Sequence, residues 1–165
     1  MSFDIDFTKK GDLKIHIRKF LLFPEYWKDV NNQFPINLIW KSCEFNELNK
    51  NAIPSKKGLY CFVVKPDFNN FFETSYLFYA GKTNRTLKIR FKEYLDDQKG
   101  KGKPRVKVYE MLKLYKDHIH FYFTEIPNKN DVDLCEEKLL NSFLPHINTQ
   151  IPKAKIKSEL KYIYE

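Results

Sequence analysis

Residues 59–64 read LYCFVV, six consecutive apolar, β-favouring side chains that follow directly on the turn signal Pro54-Ser55-Lys56-Lys57-Gly58. A strand with one face in water alternates apolar and polar residues, so an unbroken run predicts a strand covered on both faces. Any fold for this chain must therefore place material above and below that strand. YLFYA (76–80) and IHFYFTEI (119–126) are again strand-like, and Lys65 to Ser75, with Pro66, Asp67, Asn69 and Asn70, reads as a long hairpin loop between the first two strands.

Helical spacing fills the remainder. Asn84 or Thr83 can cap a helix running to about Asp97, a second basic helix fits Arg105 to Lys116, and QKGKGKP between them reads as a mobile loop. Asp131 can start a last helix that must end before Pro145. The order strand, strand, helix, helix, strand, helix predicts an α+β fold with a small three-stranded antiparallel sheet flanked by helices. Residues 13–30 mix Leu, Ile, Phe and Trp with Lys and Arg around Pro24 and suggest one or two short helices. No Gly/Ser-rich or Pro-rich linker divides the chain, so 1–165 reads as a single domain, with 1–52 as a mostly helical N-terminal extension packed on a core at 56–150.

Charge is concentrated in one part of this pattern. Residues 82–116 hold twelve lysines and arginines against four acids, an excess equal to the formal net charge of +8 for all 165 residues. A partner bearing phosphates follows naturally from such a basic third. A solvated helical face is the competing explanation. The three cysteines, Cys43, Cys61 and Cys135, are isolated and lack metal-ligand spacing, which argues against a disulfide framework or zinc knuckle and fits a reducing cytosol. MSFDIDFTKK has neither the charged nor the apolar region of a signal peptide, and no apolar run nears the roughly 20 residues that span a bilayer, so a membrane partner is not expected.

Two charged residues fall where packing does not want them. On the last helix the apolar stripe Val132, Cys135, Leu139, Phe143 includes Glu136, whose carboxylate must meet a cation, or else snorkel out to a surface lysine. Arg90 lies three residues after Leu87 and four before Tyr94, and a guanidinium held there needs an anion. Arg90 and Glu136 could pair with each other or frame a phosphate between them. Gly81-Lys82-Thr83 looks like the end of a P-loop, but Tyr76 stands where a P-loop needs its first glycine, so a nucleotide site is excluded on spacing.

Gly58-Leu59-Tyr60, Tyr79-Ala80-Gly81, Arg90 with Tyr94, Glu136 and Asn148 together resemble the GIY-YIG nuclease family, the two triplets standing where that family has its signature tripeptides. The tail EEKLLNSFLPHIN places Glu136, Leu139, Leu140, Pro145 and Asn148 in the family's order. The resemblance covers residues 56–150. Leu59 and Ala80 replace isoleucines, the separation of Tyr60 from Tyr79 is longer than usual, and Tyr94 stands where many members carry histidine.

The resemblance implies a metal-dependent endonuclease acting on nucleic acid, duplex DNA first, with Tyr60, Tyr79, Arg90, Tyr94 and Glu136 as catalytic residues. Glu136 would bind a single Mg²⁺ or Mn²⁺, Arg90 would hold the reacting phosphate, and Tyr60 would take a proton from water. Lys82, just beyond the strand end, would steady a phosphate; Lys88, Arg105 and Lys107 would grip the backbone; Asn148 would orient the helix end or the metal's water shell, or simply cap a loop. Cutting both strands with one site per chain favours a homodimer or sequential nicks. A non-catalytic nucleic-acid-binding module on the same fold is the alternative.

Overall fold

The structure, a computed structural model, describes residues 13–148; residues 1–12 of the expected N-terminal extension and 149–150 of the expected core lie outside the described residues. Its sheet is antiparallel and has four strands rather than three, in the order β1-β4-β2-β3. These are β1 (Lys41–Glu44), β2 (Gly58–Val64), β3 (Tyr76–Thr83) and β4 (Ile119–Glu125). The strand missed by the sequence reading is β1, which pairs with β4 from Lys41 opposite Phe123 to Glu44 opposite His120. KSCE has no apolar run and only Cys43 is even partly buried, so the pairing and not the pattern makes it a strand. The N-terminal segment thus contributes an edge strand as well as short helices, α1 (Pro24–Lys28) among them, with Pro24 starting that helix as a first-turn proline can.

Central β2 justifies the LYCFVV inference, because alternate side chains feed two separate cores. Tyr60, Phe62 and Val64 point to the face covered by α2 (Leu87–Gln98) and α3 (Val106–Leu114). Leu59 and Cys61 point to the other, covered by α4 (Lys129–Phe143) and by Leu21, Tyr26, Ile36, Leu38 and Trp40 of the N-terminal segment. Helix α2 presents Leu87, Phe91, Tyr94, Leu95 and Gln98 inward, one stripe at helical spacing. On α4 the buried stripe is Val132, Cys135, Leu139 and Leu140; Phe143 leaves it and lies partly exposed beside Trp27, their ring centroids 6.2 Å apart.

Ends are fixed by local chemistry. Thr86, not Thr83 or Asn84, caps α2 by accepting from the Ile89 amide at 3.1 Å. Asn128, three residues before Asp131, caps α4, and Leu144 in the left-handed region terminates it before Pro145. No helix among the described residues is long and apolar enough to cross a membrane.

Candidate active site

The strand register assembles the first half of the site. Tyr60 of β2 stands opposite Gly81 of β3, and Phe62 opposite Tyr79. The Tyr60 ring lies directly across Gly81: a Cβ built on that glycine would fall 2.6 Å from the tyrosine oxygen and 2.7 Å from Cζ. The close approach that requires glycine here is thus made by the protein's own side chain. Gly81, Lys82 and Thr83 also belong to β3, paired with Tyr60, Leu59 and Gly58, so Lys82 lies within the strand rather than just beyond its end.

Helix α2 brings Arg90 and Tyr94 over this floor. Arg90 Nε donates to the Tyr60 hydroxyl at 3.1 Å, its Nη2 to the Tyr94 hydroxyl at 3.1 Å, and the two hydroxyls lie 3.0 Å apart. Arg105, at the start of α3, reaches the same floor from the other side, donating to the Tyr79 hydroxyl at 2.6 Å and the Tyr94 hydroxyl at 3.3 Å. Two guanidinium groups therefore share three phenols.

Their charge balance is uneven. Arg90 also pairs with Glu93 at 2.8 Å, and the same carboxylate accepts from both terminal guanidinium nitrogens of Arg85 at 2.7 and 2.9 Å. Burial of Glu93 works against its charge, but the two arginines outweigh it and hold the carboxyl below its ordinary range. Arg105 has no carboxylate within ion-pair distance among the described residues. Burial pushes the Tyr60 phenol up to about 12, reinforced by Tyr79 and opposed by Arg90. Tyr94 is likewise raised well above the usual phenol range, by burial first and then by Tyr60 and Tyr79.

The second half of the site lies on the α4 side of β3. Lys82 Nζ is 2.9 Å from Glu136 Oε2 and 3.0 Å from Asp133 Oδ1, and the Glu136 side chain is only 16 % exposed. The carboxylate on the apolar stripe is thus met by a lysine of the adjacent strand. Burial alone would lower the Lys82 pKa, yet Glu136 and Asp133 raise it above its ordinary value. Arg90 and Glu136 form no ion pair with each other. The halves join through the backbone, where Lys82 follows the glycine beneath Tyr60.

Two carboxylates one helical turn apart, converging on one ammonium, define a position for a cation. Among the described residues no group of three or more His, Cys, Asp or Glu side chains could hold a metal ion. A hard divalent ion such as Mg²⁺ is commonly held by one or two carboxylates, with water and substrate phosphate completing its shell, so Glu136 and Asp133 fit one. That position is shared with Lys82.

Asn148 has a backbone role. Its side chain accepts from the Ala80 amide at 3.0 Å and donates to the Ala80 carbonyl at 2.7 Å, satisfying both polar groups of one residue on edge strand β3. Lys88 on α2 and Lys107 on α3 make no hydrogen bond to the three tyrosines. Sequence reasoning missed Glu93 and Asp133, although each stands three residues from a residue it had singled out, the spacing at which helical side chains meet. No protein-family model, curated protein or solved structure significantly matches the chain.

Proposed function

We propose that this chain is a metal-dependent endonuclease of the GIY-YIG type that hydrolyses phosphodiester bonds of nucleic acid, duplex DNA first. The observation that carries this reading is the pair Arg90 and Arg105 converging on Tyr60, Tyr79 and Tyr94, with Arg105 lacking a carboxylate partner among the described residues. Planar guanidinium donors suit a phosphate, whose transition state spreads charge over several oxygens.

In this reading Arg90 and Arg105 bind and orient the phosphate, and the phenols hold the two guanidinium groups in place. Tyr60 is 1 % exposed and its phenol is pushed up to about 12, so we assign it, with Tyr94, to holding Arg90 rather than to taking a proton from water. Glu136, with Asp133 beside it, would hold Mg²⁺ or Mn²⁺. When bound, such an ion stabilises the charge that develops on the leaving 3′ oxygen. Lys82 supplies a positive charge beside both carboxylates and the backbone at Gly81. Lys88 and Lys107 extend the cationic surface along the nucleic-acid backbone.

A second reading, a non-catalytic nucleic-acid-binding module on the same fold, draws on one observation: the Lys82 ammonium already sits between Asp133 and Glu136. Supercoiled plasmid and structured RNA incubated with wild type and Glu136→Gln, with and without Mg²⁺, separate the two. The nuclease reading expects Mg²⁺-dependent cleavage by wild type only, with nucleic-acid binding retained by Glu136→Gln. Binding without cleavage under any divalent ion supports the module, and absence of binding sinks both.

A further inference from the structure

A cleft of about 350 Å³ lies at the end of the sheet where β2 begins, its lining including Ser55, Lys56, Lys57, Arg85, Glu125 and Ile126. Its two lysines belong to the turn before Gly58, outside the basic stretch 82–116, and nothing in the proposed chemistry uses them. We propose that this cleft is a second phosphate site, which holds the backbone of the same nucleic-acid strand a few nucleotides from the reacting phosphate.

Three observations support it. The wall bearing the lysines is pinned: Leu87 donates its amide to the Lys56 carbonyl at 2.7 Å, Lys88 to Pro54 at 3.2 Å, and Ile126 to Lys57 at 3.0 Å. A preformed wall binds without the ordering cost that a mobile loop would add. Gly58 keeps it close to the sheet, since any Cβ there would run into the Thr124 carbonyl of β4.

The charge of the cleft is also unspent. Glu125 faces Lys41 at 3.5 Å and Arg85 is taken by Glu93, whereas Lys56 and Lys57 have no carboxylate within ion-pair distance among the described residues. Two lysines of the lining are therefore not already held by a carboxylate and are available to an anion.

The third observation is position. Lys57 immediately precedes β2 and stands three residues before Tyr60, about 10 Å of extended chain. A nucleic-acid strand carries a phosphate at every nucleotide, so one backbone running across this face can present phosphates to both the arginine site and the cleft. Arg85 and Arg90 share the Glu93 carboxylate, so the cleft and the arginine site are adjoining parts of one cationic surface.

The inference rests on the nucleic-acid reading for its ligand, so two probes are used. First, binding of a labelled DNA duplex is measured in EDTA across a series of salt concentrations, for wild type, Lys56→Ala/Lys57→Ala and the control Lys28→Ala on α1. Losing one phosphate contact should weaken binding several-fold and lower the slope of log K against log salt by about 1, with the control unchanged. Thermal unfolding of the double variant should match wild type. An unaltered salt slope overturns the inference while leaving the nuclease reading intact.

Second, inorganic pyrophosphate is titrated while the amide resonances of Lys57 and Arg85 are followed. Saturable shifts in wild type that disappear in the double variant establish the cleft as an anion site even if no duplex binds, in which case only the nucleic-acid reading falls. Absence of such shifts together with absence of duplex binding overturns both.

Discussion

Replacing Gly81 by alanine tests the central contact of the site. The added methyl would sit 2.6 Å from the Tyr60 oxygen and 2.7 Å from Cζ, where carbon contacts optimally lie about 3.5–4.0 Å apart. Relief requires a movement of nearly 1 Å, and the ring has little room: it is 1 % exposed, stacked on Phe121 at 5.5 Å and set against Tyr94 at 5.7 Å. The backbone cannot easily yield either, because Gly81 is paired within β3. Overpacking of this kind costs about 1–3 kcal/mol, which for a chain of this size corresponds to a Tm roughly 2–12 °C lower. The same displacement breaks the Tyr60 hydroxyl's bonds to Arg90 and Tyr94, so the proposed cleavage should fall much further than stability, by about 10²-fold. Thermal unfolding by circular dichroism and plasmid cleavage below the transition read the two effects. In a Tyr60→Ala/Gly81→Ala variant the stability losses should be less than additive, because truncating the ring removes what the methyl strikes. A Gly81→Ala protein with wild-type Tm and activity would refute the reasoning.

Three further outcomes follow from the same geometry. Arg90→Met leaves two buried phenols without their shared donor and should cost about 1–3 kcal/mol by denaturant unfolding, with cleavage down by 10²-fold or more; Arg90→Lys should rescue little of the latter. Tyr60 stays neutral in the fold to about pH 12 while an unfolded tyrosine ionises near pH 10, so its contribution to stability is full below about pH 10 and is lost as pH rises toward 12. Tyr60→Phe should flatten that loss in urea midpoints measured across the range. Asn148→Ala exposes both backbone groups of Ala80 at the sheet edge and should cost about 1–3 kcal/mol, and Asn148→Asp, which loses the donor to the carbonyl, should not restore it.

How much of this could be read from the chain differs by element. LYCFVV announced a strand buried on both faces because burial on both sides removes the need for polar alternation, and Tyr60 and Leu59 do serve opposite cores. Arg90 and Glu136 stood out because a charge on an apolar stripe must find a partner. Their partners did not stand out. Arg90 takes Glu93, a local i,i+3 neighbour, and Glu136 takes Lys82, a residue 54 positions away in sequence that only strand placement brings alongside.

Periodicity and side-chain chemistry fixed the α+β class, the position of the central strand and the residues that packing could not accept. These are local properties of helices and strands and need no knowledge of what lies across the sheet. Tertiary structure decided the rest: β1 became a strand because β4 offers it an edge, and Arg105 joined the tyrosines because α3 begins above Tyr79. It also decided that Gly81 is kept bare for the ring of Tyr60, a contact set by the register of two strands that no single stretch of sequence encodes.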